Sequence, residues 1–288
     1  MFIASILLFA LIIGQCNDDS NDYENALDDN IEEQKYSEIH DTNMSSDSHI
    51  ETPDELIRSA LDTNSVEIPL LKRRVPEQII KRLAYTLSYN KDTRCPNWVA
   101  WHLTANHVDG EWARSDDFRE DYDVPSPRAT LEDYRGSGWS RGHMCPAGDN
   151  KWDANAMSES FLLTNVCPQD RHLNSGMWNR VEMDCRKWAK KYGDVYIVCG
   201  PLYYNKQHEV IGINAVVVPE AFYKVILCLN GKPKAIGFVV KNNDGAKKKD
   251  QYVNSIDEVE RLTGIDFFPS LPDDIENEIE AQTNINEW

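Results

Sequence analysis

Between residues 97 and 240 the chain reads as short apolar stretches cut by turn signals. Residues 97–108 (NWVAWHLTANHV) alternate apolar and polar positions among β-formers, which predicts a strand closed by the Asp109-Gly110 turn. Residues 116–134 carry Pro125, Pro127 and many charges and read as a long irregular loop. Residues 161–166 form another short apolar segment. From Leu173 to Lys191 the period changes: Trp178, Val181, Cys185, Trp188 and Ala189 recur at steps of three or four, which predicts one amphipathic helix. Residues 195–199, 215–218, 221–229 and 235–240 are strand-like, separated by Gly200-Pro201, Pro219 and the hairpin signal Asn230-Gly231. Ser255-Ile256-Asp257-Glu258 matches a capping box and opens a helix running to about Leu262, with Phe267-Phe268 behind it to pack against a sheet. No internal repeat is visible. The sum predicts one α/β domain of the α+β type, with a mostly antiparallel central sheet and flanking helices.

Charge changes this picture only at the ends. The net charge of the 288 residues is −18, yet residues 17–56 hold 14 acidic residues and one Lys, and residues 271–288 hold six acidic residues and no Lys or Arg. The intervening sequence is close to balanced, so basic side chains there are free to surround a phosphate. Residues 17–56 lack the large apolar groups needed to offset chain entropy and are expected to be a disordered acidic tether. Before them, Met1 to about Gly14 is an apolar run with the length of a signal-peptide core, although no Lys or Arg precedes it. The expected organisation is a signal peptide over 1–16, the tether over 17–56, the folded domain over 57–272 and an acidic tail over 273–288. Cys16, directly after the apolar run, suggests a lipidation site, though Gln15 is a poor match to the small residue expected before it. The expectation is therefore an exported chain: extracellular, periplasmic or a surface lipoprotein. The other six cysteines, Cys95, Cys145, Cys167, Cys185, Cys199 and Cys228, suggest disulfides in such a compartment. Fifteen pairings are open. Closely spaced Cys/His pairs are absent, which argues against structural zinc.

The candidate chemistry lies in the middle of the chain. A lone histidine is ordinarily structural, and an asparagine near a helix start is by default a cap. The combination carries more weight. Arg141-Gly142-His143 follows a glycine-rich entry, Asn165-x-x-Pro168-Gln169 comes next, and Asn174, Trp178 and Glu182 fall at i, i+4 and i+8 of the predicted helix. Phosphodiester hydrolysis needs these residue types: a histidine to take a proton from water, arginines to grip phosphate oxygens, and hard oxygen donors for a divalent cation.

Together these motifs resemble the DNA/RNA non-specific endonuclease family, the ββα-metal (His-Me finger) nucleases of the Serratia-type and endonuclease G-like kind. The resemblance spans roughly residues 70–272. The family's Asp-Arg-Gly-His appears as Ser140-Arg141-Gly142-His143, and its Asn-x-x-Pro-Gln and Asn-x-x-x-Trp-x-x-x-Glu patterns are intact. Arg114, in the Arg114–Asp121 loop, matches the family's phosphate-binding arginine. The resemblance implies His143 as general base, Asn174 as the direct ligand to Mg²⁺ (with Mn²⁺ as a substitute), and Glu182 holding a metal-bound water. Arg114 would stabilise the transition state, and Arg141 would bind phosphate. Asn165 is assigned to substrate binding and to shaping the hairpin, and Trp178 and Gln169 to structure. Ser140 departs from the family's Asp and brings no negative charge, which bears on the tuning of the site.

The partners expected are DNA and RNA, membrane anchoring through a lipidated Cys16, and a second copy of the chain as homodimer. The contrasting reading is a non-catalytic nucleic-acid-binding surface protein on the same scaffold. The basic runs at residues 72–74 and 247–249 are candidate phosphate contacts, but such runs are ordinarily solvated surface. Lys187, Lys190 and Lys191 also suit the helix C-terminus. His102, His107, His172 and His208 have no partner pattern around them.

Overall fold

The computed structural model describes residues 65–243 and 247–288. The expected signal segment, Cys16 and the acidic tether lie outside these residues. Seven strands form one sheet in the order Val253–Asn254, Lys234–Lys241, Ala221–Cys228, Asp194–Leu202, Cys95–Thr104, Thr86–Asn90 and Gln78–Lys81. Every neighbouring pair runs antiparallel, in line with the mostly antiparallel sheet expected.

The period of two sorts side chains onto two faces. Along Ala221–Cys228, Phe222, Ile226 and Cys228 enter one core cluster, and Ala221, Tyr223, Val225 and Leu227 enter the other. The first face packs against the helix Asn179–Tyr192, through Val181, Cys185, Trp188 and Ala189, and against the hairpin that pairs Ser140–His143 with Val166–Gln169. The second face is covered by Ile256–Thr263 and Asp273–Glu280. Ser255 caps the first of these helices, its Oγ accepting from the Glu258 N–H at 3.1 Å, as the capping box implied.

Four expectations are corrected. The strand expected over 97–108 runs Cys95–Thr104, where Thr104 caps a short helix, Ala105–Val108. The long helix expected from Leu173 is broken: Arg171–Leu173 leads into a π-helical turn, Asn174–Trp178, before the α-helix resumes at Asn179. The acidic stretch after 272 is not a bare tail. Its helix Asp273–Glu280 buries Ile275 and Ile279, and Trp288 packs on Trp188 with ring centroids 4.7 Å apart. Asp273, Asp274 and Glu278 occupy outer positions of an amphipathic element, while Glu280 is buried beside Ile279, so a count of acidic residues does not report its packing. Lastly, all six cysteines from Cys95 to Cys228 are unpaired and buried, and the expected disulfides do not form. They serve as small apolar side chains in the core.

Candidate active site

The hairpin aims His143 from the last position of its first strand, paired with Val166. Gly142 is glycine because of what lies beneath it: a Cβ there would sit 2.3 Å from Oε1 of Gln169 and 2.6 Å from its Cβ. Asn165 ties the hairpin to its surroundings. Its Nδ2 donates to the carbonyls of Cys145 and Ser160, both at 2.8 Å, and its Oδ1 accepts from the Cys145 N–H at 2.9 Å. Fully buried and outside the cleft lining, with both amide hydrogens and one lone pair of Oδ1 engaged, Asn165 makes the hairpin-shaping contacts expected of it and exposes no atom to a substrate.

The helix supplies the facing wall. On an unbroken α-helix, eight residues at about 100° each leave Asn174 and Glu182 about 80° apart around the axis. A π-turn absorbs one extra residue and reduces that offset to about 20°. The break falls at Gly176, whose φ of −103° and ψ of −106° are not helical. Asn174 and Glu182 therefore line one cleft of about 390 Å³ together with His143, Arg114 and Arg141, while Trp178 turns into the core. The indole of Trp178 donates to the His143 carbonyl at 3.4 Å, tying helix to hairpin. The expected stripe of three thus becomes two cleft residues and one anchor.

His143 is 7% exposed and sits between Phe118 and Phe161, at 5.1 and 4.9 Å between centroids. The guanidinium of Arg141 lies 4.1 Å over Phe118, and that of Arg114 lies 4.7 Å over Phe161. Burial first, then the charges of Arg114 and Arg141, hold the imidazole neutral, its pKa pushed down to about 3. No described residue hydrogen-bonds its ring, and Nε2 is enclosed without a partner. Burial raises the Glu182 carboxyl to about 7 against the opposing charges of Lys224 and Arg186.

Several residues of this site were not anticipated. Asn179 and Arg186 line the cleft at steps of three and four from Glu182, a spacing the sequence displayed. Arg186 Nη1 donates to Oδ1 of buried Asp149 at 2.8 Å, and the Trp101 indole donates to Oδ2 at 3.1 Å. Beneath them Lys224 is fully buried, its ammonium 5.0 Å from the Trp101 ring centroid and 4.8 Å from that of Trp178. Burial would strip its proton, and the surrounding groups more than offset this, raising its pKa. Cys199, the cross-strand neighbour of Lys224, is itself pushed up to about 12 and is neutral, so the carboxylates of Glu182 and Asp149 provide the holding charge. Buried Asp149 and Lys224, with half-buried Glu182 and Arg186, make a quartet of two acids and two bases. The sequence carried a signal for Lys224, since alternation along FYKVILC places it on the same face as Phe222 and Ile226.

The cleft suits a hard divalent cation. The Asn174 amide and the Glu182 carboxylate are oxygen donors to which no described residue hydrogen-bonds. Among the described residues no cluster of three or more His, Cys, Asp or Glu is placed to hold an ion. One or two oxygen donors with water completing the shell is the pattern magnesium accepts.

Other candidates lie elsewhere. Lys72 pairs with Glu260 and Asp266, Lys249 with Asp184, Lys187 with Asp184, and Lys190 with Asp109. His102 meets Asp194 and His208 meets Glu220, while His107 helps cap its own short helix. None of these lines the cleft.

A family model described as DNA/RNA non-specific endonuclease matches residues 62–274. The mitochondrial nuclease EXOG of Xenopus laevis is 41% identical over 207 residues, covering 66% of this chain and 58% of the relative. Human mitochondrial endonuclease G is 35% identical over 209 residues, covering 67% and 70%. Nuclease C1 of Cunninghamella echinulata is 39% identical over 210 residues, covering 67% and 83%. A crystal structure of the EndoG/EndoGI complex superposes with a TM-score of 0.65 at 31% identity, covering 75% of this chain and 93% of that one. The chain spans somewhat over half the length of the EXOG relatives. The expected extracellular, periplasmic or surface-lipoprotein location is corrected by these matches, since EXOG and endonuclease G are mitochondrial proteins. Motifs, sheet, cleft and relatives converge, and the chain belongs to the DNA/RNA non-specific endonuclease family.

Proposed function

We propose that this chain is a Mg²⁺-dependent, sugar-non-specific endonuclease that hydrolyses phosphodiester bonds in DNA and RNA. The observation that carries the reading is an enclosed, neutral His143 sharing one cleft with Asn174, Glu182, Arg114 and Arg141. His143 takes the proton from the attacking water. A base with a pKa near 3 is weak, but the arginines that depress it are the ones placed to bind phosphate. An anionic phosphate between Arg114 and Arg141 offsets their charge and makes the imidazole more basic as substrate enters. Asn174 would hold Mg²⁺ directly and Glu182 would hold one of its waters. Bound there, the ion supplies positive charge and a polarised water for the leaving 3′ oxygen. Contacts made to phosphate carry no base information, which fits cleavage without sequence preference. The names of the relatives and the six unpaired thiols support a mitochondrial location over an oxidising exterior.

The test is digestion of plasmid DNA and of RNA with Mg²⁺ present or chelated, beside His143→Ala. Cleavage that needs both the ion and His143 is expected. Intact DNA and RNA with the parent chain across several divalent ions would overturn the reading in favour of a non-catalytic binding protein.

A further inference from the structure

Seven of the eight tryptophans are largely covered, and Trp112 is the exception at 54% exposed. Its ring stacks on no other ring and its indole N–H has no partner among the described residues, yet it lines the catalytic cleft with Arg114, Lys151 and His143. The loop that carries it is held in place. The Trp112 N–H donates to the Lys151 carbonyl at 3.0 Å, and Gly110 packs so closely that a Cβ there would lie 2.0 Å from the same oxygen. A bare indole on a clamped loop is a flat apolar face presented to the cleft with little left to order.

We propose that Trp112 is the stacking platform for a nucleobase next to the scissile phosphate. This rests on the nuclease reading above and deepens it. Two residues of chain span at most about 7 Å. With both side chains lining the same cleft and Arg114 on the phosphate, the indole is within side-chain reach of an adjacent nucleotide. Lys151, exposed on the same wall, is placed for the neighbouring phosphate. Stacking of this kind accepts any base, because every base has a π face. It gives this cleft a grip on the base without sequence readout, and a paired base must leave its duplex stack to use it.

The test uses the full chain carrying His143→Ala, so that substrate survives. Its binding to a labelled single-stranded oligonucleotide is compared with binding to an all-abasic oligomer of equal length. Trp112→Ala is expected to weaken binding to the normal oligonucleotide about tenfold, Trp112→Phe to restore most of it, and neither change to affect the abasic oligomer. In active protein the same loss appears as a raised KM. An equal loss on both oligomers, or no loss on either, overturns the platform while leaving the nuclease reading intact. A parent chain that binds neither oligomer and cuts no nucleic acid overturns both.

Discussion

Replacing Glu182 by Gln should abolish efficient cleavage and at the same time make the metal-free protein more stable at alkaline pH. Burial lifts the Glu182 carboxyl from its ordinary 4.5 to about 7. The folded state thus binds a proton that the unfolded state has already released. A carboxyl raised in this way leaves stability intact below the unfolded value and removes it as pH climbs from about 4.5 to about 7. At 1.36 kcal/mol per pH unit the shift corresponds to about 3 kcal/mol of destabilisation above pH 7. Solvent in the cleft screens part of that, so about 2 kcal/mol is expected. For a domain of this size that is about 4–8 °C in melting temperature. The assay is thermal unfolding in EDTA at pH 5 and pH 8.5 for the parent and Glu182→Gln. The two should melt alike at pH 5, where the parent carboxyl is already protonated, and the variant should melt higher at pH 8.5. Added Mg²⁺ should narrow the gap at pH 8.5 by stabilising only the charged parent. A variant that melts at or below the parent at pH 8.5 would refute the reasoning, because Glu182 would then be a net source of stability.

Lys224→Met keeps the volume but deletes the cation under the site. It should cost about 3 kcal/mol at pH 8, where Glu182 and Asp149 are charged and lose one of their two opposing cations, and clearly less at pH 5; urea unfolding at the two pH values reads the difference, and equal losses would argue against the quartet. Gly142→Ala forces a methyl into Gln169 and should lower stability by about 1–3 kcal/mol while disturbing His143 next to it. Urea midpoints and single-turnover cleavage rates report the two effects separately.

Local pattern carried much of this protein. Apolar strand-like runs over residues 221–229 and 235–240, bounded by turn signals, marked strands whose observed bounds differ by one residue at an end, and Ser255 marked a helix start. Motif spacing brought His143, Asn174, Glu182, Arg114 and Arg141 onto one list, and the cleft contains all five. The acidic stretch after 272 was misread because charge count hides the apolar pair Ile275 and Ile279, four residues apart, that meets the sheet. The cysteines were misread because pairing depends on separations in space, which spacing along the chain does not encode.

What the sequence determined by itself is therefore the kind of chemistry and the elements that bear it, since residue types and short periods are local properties. Tertiary structure decided the rest. The π-turn at Asn174–Trp178 rotates the metal-ligand candidate into line with Glu182. Asn165 is held by the backbone of Cys145, 20 residues away in sequence and adjacent in space, and by that of Ser160. The neutrality of His143 follows from Phe118, Phe161, Arg114 and Arg141 closing around it. Burial and electrostatic coupling depend on distances across the fold, and only packing sets those distances.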